Sequence, residues 1–289
     1  MSESKSEYSS DEMMVVAASR MLANDTVCFV GIGQPSAAAN LARLTHAPDV
    51  VLIYESGTIA TKPDILPLSI GDGELAETAQ TVVSVPEMFR YWLQGGRIDV
   101  GFLGAAQIDR FGNINTTVIG DYDSPKTRLP GGGGAPEIAT SSKEVFVLLR
   151  QSPRSFVDKL DFITSVGNYK GGDSRDALNI PGKGPSVIIT DLGMLRPEPG
   201  TGEFIMTQLH PGCTREQAAD VTGWKLRFAD HLDETPPPTA EELQVLRDLK
   251  ARTAKAHGGL IVAAGALISR RRFQPGLSAG RAHIYRKLT

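Results

Sequence analysis

Apolar residues recur along the chain in two alternating patterns, one typical of amphipathic helices and the other of buried strands. Residues 12–22 place apolar side chains at helical spacing, with Ser10 or Asp11 as the predicted N-cap. A second helix is predicted from Pro35 to about Leu44, because proline favours the first helical position. Apolar and β-branched runs predict strands at 26–30, 50–54, 81–85, 98–103, 144–149, 186–190 and 204–209. This alternation predicts an α/β layered fold with a mostly parallel sheet.

Turn and capping patterns predict further elements between and after these segments. Gly112-Asn113 separates two short apolar segments and predicts a hairpin turn. Residues 214–217 and 239–242 both fit the capping-box pattern that begins a helix. The chain has no internal repeat.

Composition and charge exclude several classes of protein. The chain has 289 residues, 41% of them hydrophobic, and a net charge of −3. This balance excludes wholesale disorder and gives no general attraction to nucleic acid. Two cysteines, Cys28 and Cys213, are too few for a disulfide framework and indicate a reducing compartment. The N-terminus lacks a cleavable signal pattern, and the apolar run at 260–268 is about half of the roughly 20 residues that span a membrane. We therefore predict a cytoplasmic protein without a membrane or nucleic-acid partner.

The two ends of the chain differ from its middle. Residues 1–11 are mostly Ser and Glu, and we predict a flexible N-terminal tail there. Residues 249–289 carry nine Lys or Arg and no Asp or Glu. We predict one domain over 12–250 and a basic C-terminal extension over 251–289, whose removal should cost little stability or activity. The alternative is that residues 260–268 form an apolar helix that docks on the core or on a partner.

A glycine pair, Gly31 and Gly33, lies between the first predicted strand and the helix that follows it. With Glu55 farther along, its spacing suggests a dinucleotide-binding motif. Ser36 occupies the third glycine position and Pro35 stands in the loop, so this interpretation is disfavoured. Two alternatives stay open: a tight turn, or a loop whose free amides at the helix N-terminus bind an anionic group of a ligand.

Glu55 directly follows the strand predicted at 50–54. Open α/β sheets bind ligands at the carboxyl ends of their strands, so this carboxylate is a candidate catalytic group, although most glutamates are simply solvated. Ser56 and Gly57 come next and suit a tight turn with close backbone approach. A run of four glycines, Gly131, Gly132, Gly133 and Gly134, is either a flexible linker or a loop whose bare amides converge on an anionic oxygen.

Three other patterns lack features that their motifs require. Residues 276–280 match the G-x-S-x-G nucleophile elbow, but a basic segment precedes them where a buried strand is required. Residues 182–184 lack the spacing and the hydroxyl residue of a phosphate-binding P-loop. The five histidines show no metal-ligand spacing, and His210 before Pro211-Gly212 suits a structural turn, so no metal site is predicted.

Several segments together resemble the beta (B) subunit of family I coenzyme A transferases, most closely the glutaconate CoA-transferase-like branch. The resemblance extends from about residue 11 to residue 250. It is carried by residues 54–57, 66–72, 95–109, 110–115, 131–134, 210–212, 222–224 and 237–243. Taken together these motifs are specific, whereas the tetraglycine run alone would not be.

The resemblance implies a Rossmann-like subunit that works with an alpha subunit, usually as an α2β2 heterotetramer. It implies that a glutamate acts as nucleophile through a glutamyl-CoA thioester, and Glu55 stands at that position. The acyl-CoA thioester is then a substrate, and no cofactor is permanently bound. From the residues and this chemistry we predict contacts by Gly131, Gly132, Gly133 and Gly134 to the oxyanion or CoA, and a ligand loop of Gly31, Gly33, Ser56 and Gly57.

Two alternatives to CoA transfer stay open: another reaction on acyl-CoA, or a non-catalytic binding role. Some relatives lack the glutamate and act as acyl-CoA hydrolases or lyases, so the presence of Glu55 favours transfer. A non-catalytic binding role is the alternative of a different class, and a dispensable Glu55 would favour it. The exchanged acids are also undecided between glutaconate, 3-oxoadipate and another 3-oxo acid.

Overall fold

A ten-stranded mixed sheet forms the centre of the molecule in the computed structural model, which describes residues 8–271, with side chains through residue 258. The strands are β1 (Val27–Phe29), β2 (Val51–Ile53), β3 (Thr58–Ile59), β4 (Thr81–Val82), β5 (Val100–Leu103), β6 (Gln107–Ile108), β7 (Ile114–Asn115), β8 (Val118–Gly120), β9 (Pro125–Arg128), β10 (Glu144–Leu148), β11 (Pro185–Ile189), β12 (Gly193–Pro197), β13 (Phe204–Leu209) and β14 (Phe228–Glu234). The α-helices are α1 (Ser10–Ser19), α2 (Gln34–Leu44), α3 (Gly73–Glu77), α4 (Val85–Glu87), α5 (Ala135–Ser141), α6 (Arg215–Asp220) and α7 (Ala240–Arg271). A π-helical segment, Met88–Leu93, continues α4, and two 3-10 turns lie at Gly172–Ser174 and Asp176–Leu178.

The strand order creates a crevice at one edge of the sheet. The order is β14-β13-β12-β11-β10-β5-β1-β2-β3-β4, and five of the nine pairings are parallel. The chain passes from β1 to β2 on one side and later returns to place β5 on the other side of β1. Parallel sheets open a ligand-binding crevice where the direction of winding reverses in this way. The predicted α/β, Rossmann-like layered fold is confirmed.

The core is divided between the two faces of the sheet. Alternate residues of a strand point to opposite faces, so Phe102 packs in one cluster and Leu103 in the other. On the first face, α1 and α2 cover the sheet, and the Phe102 ring meets Phe146 edge to face at 5.6 Å. The central strands are thus buried on both sides, which explains their continuous apolar sequences.

Most of the predicted strands are confirmed, with ends that differ by one or two residues. The prediction at 81–85 is wrong in its second half, because β4 ends at Val82 and a helix begins at Val85. The Ser84 side chain caps that helix by accepting the backbone N–H of Glu87. The hairpin predicted at Gly112-Asn113 is confirmed by the antiparallel pairing of β6 and β7.

The N-terminal helix begins earlier than its sequence pattern indicates. Its N-cap is Ser9 instead of Ser10 or Asp11, and Ser9 forms a capping box with Glu12. Helix α1 therefore starts inside the segment 1–11 that we predicted as a tail. Residues 1–7 of that tail lie outside the described residues, as do residues 272–289 with the rejected elbow pattern.

Helix α7 crosses residue 250 without a break. Its first turns are held by buried leucines, Leu246 and Leu249 among them, and by an ion pair of 2.6 Å between Arg20 and Glu242. Beyond residue 250, Thr253 Oγ1 accepts the backbone N–H of Leu66 at 2.9 Å. No element therefore ends at the predicted boundary, and the division into 12–250 and 251–289 stays a prediction. Within the described residues, no helix has the length and apolar character that crossing a membrane requires.

Candidate active site

Glu55 lies just beyond the carboxyl end of β2, in the tight turn that leads to β3. The turn is closed by two backbone hydrogen bonds, from Tyr54 N–H to the Thr58 carbonyl (3.1 Å) and from Gly57 N–H to the Tyr54 carbonyl (2.9 Å). Gly57 has a φ of +99°, and a Cβ there would lie 2.0 Å from the carbonyl oxygen of Val83. The turn can therefore lie this close to the neighbouring chain only with glycine, and it leaves Glu55 half-buried.

The tetraglycine loop lies directly beside the Glu55 carboxylate. It is anchored where Gly131 N–H donates to the Thr116 carbonyl at 2.8 Å. The N–H groups of residues 132–134 have no hydrogen-bond partner among the described residues. A Cβ on Gly134 would come within 3.2 Å of Glu55 Oε1. The loop thus places backbone N–H groups without a hydrogen-bond partner beside Glu55, the carboxylate that the sequence analysis identifies as a candidate catalytic group.

Glu55 borders two adjoining clefts. The first, of about 430 Å³, lies at the crevice between β1 and β5. Its lining includes Phe29, Gly31, Ile32, Gln34, Glu55, Ile70, Phe102, Gly104, Gly132, Gly133 and Gly134. The second, of about 300 Å³, is lined by Glu55, Phe89, Gln94, Gly133, Gly134, Pro136 and Glu137. A carboxylate placed between two clefts can reach groups bound in either.

A larger cavity than either cleft lies elsewhere. It has a volume of about 660 Å³ and is bordered by Asp99, Glu144 and Pro185, which precede or begin β5, β10 and β11. This is the amino-terminal edge of the parallel strands, opposite the edge that carries Glu55. The smaller clefts are the candidate active site, because open α/β sheets bind ligands at the carboxyl edge.

Some of the predicted ligand residues line the clefts, and others lie outside them. Gly31 lines the larger cleft, but Gly33 does not, and its φ of +84° serves the entry into α2. Ser56 and Gly57 also line neither cleft, and both shape the turn beneath Glu55. Gly131 anchors the glycine loop from outside the clefts. The ligand roles of all these residues stay predictions.

Several cleft residues were missed by the sequence analysis. Gly104 follows β5 beside β1, and the strand-end rule that selected Glu55 would have found it as well. Phe89 and Gln94 belong to the π-helical segment and its C-cap, which carry no recognisable sequence pattern. Glu137 stands in the first turn of α5, and its Oε1 accepts a hydrogen bond from Gln94 Nε2 at 2.8 Å. It is a second carboxylate at the smaller cleft.

Two other chemically reactive side chains, Cys28 and His210, lie in the interior. Burial raises the pKa of the Cys28 thiol, which keeps it protonated and unreactive. Burial also lowers the pKa of His210, whose Nε2 donates to the Thr190 carbonyl at 2.9 Å and whose Nδ1 faces Thr235 Oγ1 at 3.1 Å. His210 is thus a structural residue, as predicted. The described part of the chain contains no group of three or more potential metal ligands.

Comparison with known proteins decides the family. The family model described as Coenzyme A transferase matches residues 11–219. The chain belongs to the coenzyme A transferase family. This confirms the resemblance found in the sequence and places Glu55, the glycine loop and both clefts inside the matched region.

The most similar of the relatives compared are B subunits of two CoA-transferases. The B subunit of the 3-oxoadipate CoA-transferase of Pseudomonas knackmussii is 70% identical over 253 residues, 88% of this chain and 97% of that protein. The B subunit of the glutaconate CoA-transferase of Acidaminococcus fermentans is 34% identical over 82% of this chain and 91% of its own length. The crystal structure of glutaconate coenzyme A-transferase from Acidaminococcus fermentans matches with a TM-score of 0.78 and 32% identity, over 83% of this chain and 94% of that chain.

Proposed function

We propose that this chain is the B subunit of a 3-oxoadipate CoA-transferase, and that Glu55 is its covalent nucleophile. The observation that carries the proposal is the Glu55 carboxylate at the carboxyl edge of the sheet, beside the unbonded amides of residues 132–134. The identity of 70% to the B subunit of a 3-oxoadipate CoA-transferase supports this acid over glutaconate.

The first half of the reaction loads CoA onto the enzyme. A carboxylate oxygen of Glu55 attacks the thioester carbon of the donor acyl-CoA, and the carbon–sulfur bond breaks to release CoA thiolate. The product on the enzyme is an acyl-glutamyl anhydride. The thiolate then attacks the glutamyl carbonyl carbon, which gives a glutamyl-CoA thioester and frees the donor acid. Covalent catalysis of this kind divides one difficult exchange into easier steps.

The second half repeats these steps in reverse with the acceptor acid. Its carboxylate attacks the glutamyl-CoA thioester, so that CoA thiolate leaves and an anhydride with the acceptor forms. The thiolate attacks the acceptor's carbonyl carbon, and Glu55 returns as a free carboxylate. No proton or electron is consumed over the cycle, so the residues need only bind, orient and stabilise charge.

Each attack passes through a tetrahedral stage with a negatively charged oxygen. Preorganised donors about 2.7–3.1 Å from such an oxyanion lower the barrier substantially. The N–H groups of residues 132–134 are available for this role, because the described part of the protein leaves them unbonded.

An anhydride is labile in water, so the site must be closed during the reaction. Both clefts are open on the described chain, and we propose that an alpha subunit covers them, as part of an α2β2 complex. That the two relatives are each one subunit of a larger enzyme supports a partner chain. In light scattering with size-exclusion chromatography, the co-expressed chains should elute as one species, and the isolated chain should transfer no CoA.

The proposal is tested on the complex with variants of Glu55. Glu55→Ala should abolish CoA transfer without loss of folding, and Glu55→Asp should lose most activity because the carboxylate withdraws by about 1 Å. Glu137→Gln, which alters the other carboxylate of the smaller cleft, should retain transfer. Normal turnover by Glu55→Ala would contradict the proposal and favour a non-catalytic binding role. Free CoA released without any acceptor acid would favour a hydrolase.

The substrate is tested by competition between two acceptor acids. With one acyl-CoA donor, 3-oxoadipate should be converted in preference to glutaconate when both are present at equal concentration.

We also propose that the protein is cytoplasmic, and the free state of Cys28 and Cys213 supports this location.

A further inference from the structure

Two hydroxyl groups meet in the interior behind the active site. Ser36 Oγ and the hydroxyl oxygen of Tyr54 lie 2.8 Å apart, and neither residue has any solvent exposure. Burial raises the pKa of Tyr54 to about 12, so the phenol stays protonated and the contact is a neutral hydrogen bond. A buried hydroxyl without a partner is costly, which makes this bond a strong constraint on where both residues lie.

This bond joins two segments that both line the larger cleft. Ser36 stands in the first turn of α2, close to Gly31 in the preceding loop and Gln34 at the helix start, which both line the cleft. Tyr54 directly precedes Glu55 and points to the opposite face of the sheet. The hydrogen bond therefore fixes the backbone from which Glu55 projects relative to the start of α2, which lines the same cleft.

Helix α2 is attached to the same segment at a second point. Asn40 Nδ2 donates to the Ser36 carbonyl at 3.0 Å, and its Oδ1 accepts from Arg43. Arg43 in turn donates to the Pro63 carbonyl at 2.7 Å. The helix is thus held to residues 54–63 at both of its ends, and the Ser36–Tyr54 bond is the attachment nearest to Glu55.

The turn itself offers no other side-chain hydrogen bond of this kind. The hydroxyls of Ser56 and Thr58 are buried and lack a partner among the described residues. Gly57 contributes no side chain at all. Within residues 54–58, the phenol of Tyr54 therefore makes the side-chain hydrogen bond that orients the turn.

We propose that Tyr54 is a positioning residue for the transfer reaction, whose hydrogen bond to Ser36 holds the Glu55 carboxylate in its attacking geometry. The inference rests on the proposed function, since it assigns a role toward the nucleophile named there. Tyr54 lines neither cleft, so it acts through Glu55 and not on the substrate. Its loss should slow the chemical steps, because a nucleophile displaced by about 1 Å can lose on the order of a hundredfold in rate.

The test compares Tyr54→Phe, Ser36→Ala and the double variant in the co-expressed complex. Tyr54→Phe keeps the ring and removes only the hydroxyl. Each single variant should lower kcat by about tenfold or more, while KM for acyl-CoA changes by less than about twofold. The double variant should lose no more than the larger single loss, because both changes break one bond. If Tyr54→Phe fails to fold, Ser36→Ala carries the same comparison.

A matched control separates positioning from general stability. Thr61 and Thr78 form a comparable hydroxyl pair at 2.7 Å that lines neither cleft. Thr61→Val should lower the melting temperature and leave kcat unchanged. The inference is overturned if Tyr54→Phe or Ser36→Ala keeps wild-type kcat, if the two losses multiply, or if Thr61→Val lowers kcat equally. A wild-type complex that transfers no CoA would instead overturn the proposed function, and the inference with it.

Discussion

The Glu55 carboxylate lies against Gly134, so closely that a Cβ at position 134 would stand 3.2 Å from Glu55 Oε1. The same Cβ would lie 2.7 Å from Cζ of Phe89. The backbone at Gly134 has an ordinary φ of −82°, so glycine is required there for space and not for conformation. A methyl group at position 134 would therefore collide with the Phe89 ring and press on the candidate nucleophile.

Gly134→Ala tests this fit. The variant should fold, because its backbone is open to alanine, but it should displace Glu55 or Phe89 and lower kcat by about ten- to a hundredfold. Gly73→Ala on α3 is the control, since the nearest atom to its new Cβ is 4.0 Å away. Steady-state kinetics of both variants in the complex measure the difference, and a Gly134→Ala variant with wild-type kcat would argue against close packing.

Gly57→Ala tests the turn beneath Glu55. The positive φ strains any residue with a Cβ, and this Cβ would also collide with the Val83 carbonyl oxygen at 2.0 Å. Gly33 has a similar φ of +84°, and a Cβ there would have no atom within 4 Å. Gly33→Ala therefore measures the backbone strain without a collision. We expect Gly33→Ala to cost about 1 kcal/mol and Gly57→Ala clearly more. Equal unfolding free energies in urea titrations would contradict the collision.

His210 should make stability depend on pH. Because burial lowers its pKa below the ordinary value of about 6.5, the folded state prefers the neutral ring. This contribution is fully present above about pH 6.5 and is lost as the pH falls through the folded-state pKa. His210→Gln should therefore flatten the fall in melting temperature between about pH 7 and pH 5. Equal slopes in the wild-type protein and in His210→Gln would refute the assignment.

Truncations within α7 test where the folded domain ends. A chain that ends at Gly258 keeps Thr253 and the buried His257, whereas a chain that ends at Lys250 loses both and exposes the N–H of Leu66. Such a loss costs on the order of 1 kcal/mol, or about 2–4 °C in melting temperature for a domain of this size. The shorter chain should therefore melt a few degrees lower than the longer one. Identical melting curves would support the boundary at 250 that the sequence predicts.

The sequence predicts elements best where burial fixes their composition. The central strands β1, β2, β5 and β10 are covered on both faces, so each appears as an uninterrupted apolar run. The edge strand β14 was not predicted, because its side chains are mostly exposed and its sequence is polar. The second half of the strand predicted at 81–85 was wrong, because β-branched residues continue past the point where Ser84 caps a helix.

Some residues of the candidate site could be predicted from the sequence, but their arrangement could not. Glu55 and the four glycines carry their own signals, a carboxylate after a buried strand and a run without side chains. Their proximity depends on the position of β5 between β1 and β10, which no local pattern contains. The same is true of Phe89 and Gln94, which reach the smaller cleft only through the π-helical segment.

Covalent capture of the intermediate tests the central claim most directly. The complex would be incubated with acyl-CoA and then treated with borohydride or hydroxylamine, and the modified peptide would be located by mass mapping. The account predicts that the modification falls on Glu55, that it requires acyl-CoA, and that it is absent from Glu55→Ala. A modification on another residue, or none in a complex that is turning over, would contradict the assignment of Glu55 as the nucleophile.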